Sequence, residues 1–157
     1  MLIKLKAISV RQPFAWLIIN GHKDVLDSLF YSEPLGMIAI HASQTFSEQG
    51  YKGIRERMPH LHMPPRDQFA SGGIVGLADF HKTIIQHESY DSQWHSSQQF
   101  GFCLRNTRPT PFIKLPGQLG FFWVGIKQNI IDIYRGDAIV SLFLNGDTHP
   151  IPPLKGD

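Results

Sequence analysis

Apolar and polar positions recur along the chain at spacings that predict its secondary structure. Residues 2–10, LIKLKAISV, alternate in part, as expected for a strand with one buried face. Phe14 and Ile18 then share a helical face directly after Pro13. Proline suits the first turn of a helix because its missing N–H costs nothing there. Gly21 suits the end of this helix, so a short helix is predicted after the first strand.

Short apolar runs bounded by turn residues predict most of the remaining elements. Residues 37–42, MIAIHA, are predicted to form a buried strand, and residues 43–58 a helix capped by Ser43 or Thr45. An alternating apolar run at 138–144 has no clear place in this pattern. Further strands are predicted at 23–30, at 72–85, at 98–106 and at the end of 107–124, with loops at 59–72 and 86–98.

Six or seven short strands with few helices predict an α+β fold, built as a small mixed β-barrel of about six strands with helices at its ends. The pattern does not match the regular strand–helix alternation of a doubly wound sheet. The length of 157 residues suits one domain, so residues 1–157 are predicted to form a single domain. Its proline-rich end, residues 145–157, is predicted to be a flexible tail.

Composition and charge narrow the classes of function only slightly. Hydrophobic residues make up 42% of the chain, which is enough for one core. The formal net charge of +2 permits nucleic-acid binding without arguing for it. Cys103 is the single cysteine of the sequence, which excludes an internal disulfide and fits a reducing compartment. No apolar run approaches the roughly 20 residues of a membrane span, so a cytoplasmic protein without a membrane partner is expected.

Five segments between residues 8 and 124 form an ordered series. They read ISVRQPFAWLIINGHKDV (8–25), GMIAIHAS (36–43), GGIVGLADF (72–80), FGFCLRNTRPTP (100–111) and GQLGFFWV (117–124). This series resembles ASCH domains, the activating-signal-cointegrator homology branch of the PUA-like superfamily. The resemblance implies a PUA-like barrel with a cleft between the barrel and its helices. It also implies RNA or a nucleotide-like ligand, since the family includes RNA-binding proteins, ribonucleases and small enzymes that hydrolyse the acetyl amide of N4-acetylcytidine.

The chain departs from this family in one short frame. ASCH domains similar to it usually carry the frame K-x-x-E-x-R, whereas residues 23–28 read KDVLDS. Leu26 and Ser28 therefore stand at the glutamate and arginine positions. Asp27 is one residue away from the glutamate position, and neighbouring side chains on a strand point to opposite faces. The sequence predicts that the usual carboxylate and guanidinium of the pocket are missing.

Lys23 is the candidate catalytic residue and also a candidate ligand contact. Burial would lower the pKa of its amine and make it a base, or the charged amine would contact a phosphate. The alternative is a solvated lysine just past a helix C-terminus. Arg11 and Gln12, at the helix entrance, offer donors to a base edge or a phosphate. Their alternative is a turn whose side chains cap the helix.

His41 and Trp94 complete the set of predicted ligand contacts. His41 ends an apolar strand and is expected to be a core histidine bonded to a backbone carbonyl, while its pocket role is implied by the resemblance. Trp94 lies in a polar loop and is the candidate for an exposed surface on which a base stacks. Other candidates are Tyr90, Phe121, Phe122 and Trp123 for stacking, and Arg105, Arg108 and Lys114 for phosphates.

Two further patterns concern catalysis and metals. Asp79, Glu88 and Asp91 are candidates for a replacement carboxylate that would orient water, although solvated acids are the common case. His60 and His62 form a short chelate pair in a proline-rich loop. Because no cysteine or carboxylate repeats around them at the spacing of a zinc site, neither a metal nor another cofactor is expected.

Two main function hypotheses stay open. The first is a binding module that holds RNA or a modified nucleotide around Lys23 without turnover. The second is an N4-acetylcytidine-type amidohydrolase or a ribonuclease that uses Lys23 with a carboxylate from elsewhere in the chain. A structural protein with a vestigial pocket is a third reading, because a broken motif is what loss of function would leave. The sequence does not specify the oligomeric state.

Overall fold

A computed structural model describes residues 1–144 of the chain, with side chains over residues 1–136. Its six strands and three helices follow one another with a single 3₁₀ turn at Arg66–Gln68. The strands are β1 (Leu2–Gln12), β2 (Val25–Ser28), β3 (Gly36–Phe46), β4 (Gly73–Ile84), β5 (Phe100–Lys114) and β6 (Phe121–Lys127). The helices are α1 (Phe14–Ile19), α2 (Glu48–Arg57) and α3 (Gln128–Leu144).

The six strands form one mixed sheet in the order β2-β5-β4-β3-β1-β6. β1 and β3 run parallel, and Ser9 lies directly opposite His41 in their register. The other neighbouring strands of the described chain are antiparallel. The parallel pair is possible because α1 and β2 lie between β1 and β3 in sequence, which gives the chain enough length to return to the same end of the sheet.

The sheet separates two hydrophobic cores, because successive side chains of a strand point to opposite faces. On β1, Ile8 packs into the core that contains Ile18 of α1. The neighbouring Ala7 packs into the core that contains Ile131 and Tyr134 of α3. Thus α1 and α3 cover opposite faces of the sheet, and both faces of its central strands are buried.

The predicted α+β class is confirmed, whereas the closed barrel is not. β2 and β6 stand at the two ends of the strand order and do not pair with each other in the described part of the chain. The predicted helix at 43–58 begins only at Glu48, because residues 43–46 continue β3. Ser47 caps it and accepts a hydrogen bond from the backbone N–H of Gly50 at 3.0 Å.

Two other expectations differ from the structure. The strand predicted at 98–106 is longer than expected, because residues 107–114 continue β5 to Lys114. The apolar run at 138–144 belongs to α3. The predicted flexible tail, residues 145–157, lies outside the described residues. Within residues 1–144, none of the helices combines the length and the apolar character needed to cross a membrane.

Candidate ligand-binding site

Lys23 is buried just before β2. Its residue surface is 8% exposed, and its amine lies 4.9 Å from the centre of the Trp94 ring and 5.7 Å from that of Phe14. Burial lowers the pKa of this amine to about 8, against the opposing charges of Asp27 and Asp24. No carboxylate forms an ion pair with Lys23 in the part of the chain whose side chains are described.

Residues 86–98, here called the cover loop, lie over Lys23 and are fastened by the two acids that follow it. Asp24 accepts a hydrogen bond from the hydroxyl of Ser92 at 2.8 Å. Asp27 accepts one from the backbone N–H of Ser96 at 2.7 Å and lies 2.6 Å from Nδ1 of His95. Both carboxylates of the 23–28 frame are therefore engaged in holding the cover loop.

Gln12 is buried at the start of α1, and its side-chain amide is engaged by backbone groups at both ends. Its Nε2 donates to the carbonyl of Ala70 at 3.0 Å, and its Oε1 accepts from the backbone N–H of Trp16 at 2.8 Å. Only 3% of the residue is exposed. This is the capping geometry that the sequence left as an alternative. Arg11, by contrast, is exposed.

Leu26 and Ser28, which the sequence resemblance placed at glutamate and arginine positions, both line a cleft of about 320 Å³. Leu26 packs against the α1 core, whereas Val25 packs beside Trp94 beneath the cover loop. Leu26 and Val25 therefore point to opposite sides of β2. We call this cleft the apolar cleft, and its lining also includes Ile8, Ser9, Asp27, Leu29, Phe30, Gln118, Leu119 and Gly120.

A second cleft, of about 940 Å³, lies on the other side of the loop between β5 and β6. Ser9, Gln118 and Leu119 line both clefts. We call the second one the polar cleft and residues 115–120 the dividing loop. The polar cleft is also lined by His41, Ser43, Gln44, Gly72, Lys114, Leu115, Pro116 and Gly117.

His41 joins three segments of the chain at the base of the polar cleft. It is 2% exposed, and its Nε2 lies 2.8 Å from the carbonyl oxygen of Leu115. A carbonyl oxygen can only accept, so Nε2 carries the hydrogen and Nδ1 of the neutral ring is an acceptor. The hydroxyl of Ser9, 3.1 Å from Nδ1, donates its hydrogen there. His41 thus has the carbonyl bond expected of a core histidine and also lines a cleft.

Two of the three predicted replacement carboxylates, Asp79 and Glu88, have local partners. Asp79 is buried and pairs with Nε of Arg105 at 2.8 Å, and Glu88 accepts a hydrogen bond from the backbone N–H of Ile85. Phe122 is buried, whereas Trp123 is exposed. Among the residues whose side chains are described, no three His, Cys, Asp or Glu side chains are grouped closely enough to hold a metal ion.

No protein-family model and no curated protein matches the chain. Three solved structures have a similar fold. The ASCH protein from Zymomonas mobilis is 15% identical, with a TM-score of 0.49, over 87% of this chain and 94% of that chain. Its serine-to-alanine variant is 16% identical, with a TM-score of 0.47 and the same coverage. Its tyrosine-to-phenylalanine variant is 16% identical, with a TM-score of 0.45, over 87% of this chain and 96% of that chain.

The chain resembles ASCH proteins. Of the predicted contacts, the structure brings Lys23 against Trp94 of the cover loop and places His41 at the polar cleft. Gln12 and Arg11 are not among the lining residues of either cleft.

Sequence reasoning missed Ser9, Phe30 and Gln118 as lining residues. Two signals were available. Ser9 is a polar residue inside the buried strand β1, between Ile8 and Val10. Gln118 lies within GQLG, the start of the last segment that resembles the family. A polar residue in a buried strand needs a hydrogen-bond partner, and this requirement points towards His41 once the strands are paired.

Proposed function

We propose that the protein is an ASCH-type domain that binds RNA or a modified nucleotide in the apolar cleft without converting it. One observation carries this proposal: Leu26 and Ser28, at the positions where the family places charges, line a cleft of about 320 Å³. Ligand pockets typically measure about 300–1,000 Å³ and are mostly apolar, with a few polar groups. A slot of this kind suits the flat face of a nucleobase.

Phe30 supplies an aromatic wall for such a base. Its ring lies 5.8 Å from that of Phe102 and 6.1 Å from that of Phe121, so its position is fixed by the core. Nevertheless, 43% of Phe30 is exposed, and Leu29 and Leu119 beside it are largely or fully exposed. A cluster of exposed apolar side chains at a cleft indicates a binding surface, because water disfavours leaving it uncovered.

The cover loop restricts the access of a ligand to Lys23. Lys23 and Trp94 contact each other in the described conformation, so a ligand would reach the amine of Lys23 only after the cover loop opens. We therefore place the primary contacts in the apolar cleft. Arg11, Gln12, Lys23, His41 and Trp94 stay predictions as direct ligand contacts, as does a cytoplasmic location.

The alternative is an N4-acetylcytidine-type amidohydrolase or a ribonuclease that uses Lys23. The lowered pKa of this amine favours it, because an amine near pKa 8 is partly neutral at physiological pH and can accept a proton. However, a base also needs substrate within hydrogen-bond reach, and Lys23 is enclosed by Trp94 and Phe14. Asp27, the acid whose charge acts most on Lys23, already accepts two hydrogen bonds from the cover loop.

Calorimetric titration with cytidine, N4-acetylcytidine and short single-stranded RNAs tests the proposal. We expect Phe30→Ala to weaken binding by about tenfold, since base–aromatic stacking contributes about 1–3 kcal/mol. Tyr31→Ala is the matched control, because Tyr31 is a neighbouring exposed aromatic that does not line the apolar cleft. Equal losses in both variants, or no binding by the wild type, would refute the proposal. Product formation by the wild type but not by Lys23→Ala would establish the enzyme instead.

A further inference from the structure

We propose that Ser9 makes the site selective for RNA over DNA by accepting a hydrogen bond from the ribose 2′-hydroxyl. The nucleic acid would be a single strand that crosses from the apolar cleft to the polar cleft. This inference rests on the proposed function, because it takes a base in the apolar cleft as its starting point.

The first step concerns the direction of the hydrogen bonds at Ser9. The carbonyl of Leu115 fixes the hydrogen of His41 on Nε2, which leaves Nδ1 as the acceptor for the Ser9 hydroxyl. A serine hydroxyl has one hydrogen and two lone pairs. Since its hydrogen is used by His41, Ser9 presents only an acceptor to a ligand. A group that binds to it must therefore be a donor.

The second step concerns the position of Ser9. Its side chain lines both clefts and lies where they meet at the dividing loop, together with Gln118 and Leu119. In a nucleotide, the ribose connects the base to the phosphate. A base in one cleft and a phosphate in the other would therefore place the ribose near Ser9. The 2′-hydroxyl is the donor that distinguishes RNA from DNA at such a point.

The third step concerns the suitability of the polar cleft for a phosphate. Its lining includes the polar side chains of Ser43, Gln44 and Gln118 and the amine of Lys114, with no aspartate or glutamate. Lys114 forms no ion pair with the residues whose side chains are described. The polar cleft has a volume of about 940 Å³, which exceeds that of the apolar cleft. It therefore has room for the phosphate and part of a neighbouring nucleotide.

Gly117 lets the backbone of the dividing loop approach the Ser9 hydroxyl closely. A Cβ atom at Gly117 would lie 2.5 Å from Oγ of Ser9 and 2.8 Å from Cε1 of His41. The backbone therefore approaches both side chains more closely than any other residue would permit. This close approach fixes the hydroxyl at the junction and keeps the carbonyl of Leu115 on His41.

Matched single-stranded hexamers of RNA, DNA and 2′-O-methyl RNA test the inference. The 2′-O-methyl strand keeps the oxygen but lacks the hydrogen that Ser9 would accept. We expect the wild type to bind RNA about two- to tenfold more tightly than either other strand, the range of one neutral hydrogen bond. Ser9→Ala should lose this preference, while Ser32→Ala, at a half-buried serine outside both clefts, should keep it. Thermal melting checks that both variants fold.

Lys114→Ala tests the phosphate contact separately. We expect its slope of log affinity against log salt to be shallower by about 0.7 for the RNA hexamer, as for one phosphate contact on a single strand. Its affinity for cytidine, which has no phosphate, should not change. Lys127→Ala is the control, because Lys127 lies at the end of β6 and lines neither cleft.

The possible failures are distinguishable. If the wild type binds RNA and DNA equally, or if Ser9→Ala keeps the RNA preference, the role of Ser9 is refuted. The loss of base binding in Phe30→Ala would still support the proposed function in that case. If the wild type binds neither cytidine nor any hexamer, both proposals are refuted together.

Discussion

The carboxylate of Asp27 lies 2.6 Å from Nδ1 of His95, and its other oxygen accepts the backbone N–H of Ser96. Asp27 directly follows Leu26, the residue that the sequence resemblance placed at a glutamate position. Its carboxylate holds the cover loop, and Asp27 also lines the apolar cleft beside Leu26. Both oxygens of this carboxylate are therefore engaged in holding the cover loop.

Asp27→Ala should release the cover loop. Removing the carboxylate leaves the buried His95 and the N–H of Ser96 without this acceptor, and we expect the free energy of unfolding to fall by about 1–3 kcal/mol. Amide hydrogen exchange of residues 92–96 should become faster while β3 and β4 stay protected. Asp91→Ala, at an exposed acid in the same loop, is the control. Unchanged exchange in Asp27→Ala would contradict this assignment.

Lys23→Met should stabilise the protein at neutral pH. Burial places the folded-state pKa at about 8, below the usual 10.5, so the folded protein binds fewer protons between these values and the stability rises with pH there. Below pH 8 the buried amine of Lys23 is charged in the folded protein, and this lowers the free energy of unfolding by up to about 3 kcal/mol. The variant should therefore exceed the wild type at pH 7 by up to that amount, and the gap should narrow towards pH 10.

Urea unfolding at pH 7, 8, 9 and 10 measures this gap. The difference between the two proteins removes the contributions of other titrating groups, including Tyr90, whose pKa is raised to about 12. Lys52→Met, at an exposed lysine of α2, should show no such trend. A constant difference across the four pH values would mean that burial does not govern the protonation of Lys23.

Gln12→Ala should destabilise the protein without weakening nucleoside binding. The substitution leaves the carbonyl of Ala70 and the N–H of Trp16 without their side-chain partner, at a cost of about 1–3 kcal/mol. Gln12→Glu keeps the acceptor for Trp16 but loses the donor to Ala70, so we expect it to be destabilising as well. A loss of cytidine affinity in a folded Gln12→Ala protein would restore Gln12 as a ligand contact.

Two glycines of α2 should respond in opposite ways to alanine. At Gly53 an added Cβ meets no atom within 4 Å, so Gly53→Ala should stabilise the protein by about 0.5–1 kcal/mol through helix propensity. At Gly50 the Cβ would lie 2.5 Å from Cζ of Phe14 and 2.8 Å from Oγ of Ser47. Gly50→Ala should therefore lower the melting temperature, and thermal unfolding of both variants decides the sign.

The central strands were predictable from sequence because their own side chains specify them. The apolar run at 37–42 is buried on both faces and needs no partner to be recognised. The ends of the strands were not predictable in this way. Phe46 extends β3 by pairing with Gln12, and Lys114 extends β5 by pairing with Gly73. Such extensions depend on strands that are distant in sequence.

In the site, too, some features were predictable from the local sequence and others depend on residues distant in sequence. The altered frame at 23–28 identified Leu26 and Ser28 as positions of interest, and both line a cleft. The hydrogen-bond direction at Ser9 could not be read from the sequence, because it depends on the carbonyl of Leu115, 74 residues beyond His41. The sequence around His41 does not indicate which backbone carbonyl will accept a hydrogen bond from its imidazole.

The opposition of Ser9 and His41 in the parallel pairing of β1 and β3 has a consequence for variation among related chains. A one-residue shift in the register of β1 against β3 would move the side chain of Ser9 or His41 to the other face of the sheet. Such a shift would also expose the buried neighbours Ile8 and Val10, so it is unfavourable. Insertions in the surrounding loops would therefore reshape the rims of both clefts while leaving the hydroxyl at their junction unmoved. Ligand preference could diversify at the rims, while discrimination between sugars stayed with the strands.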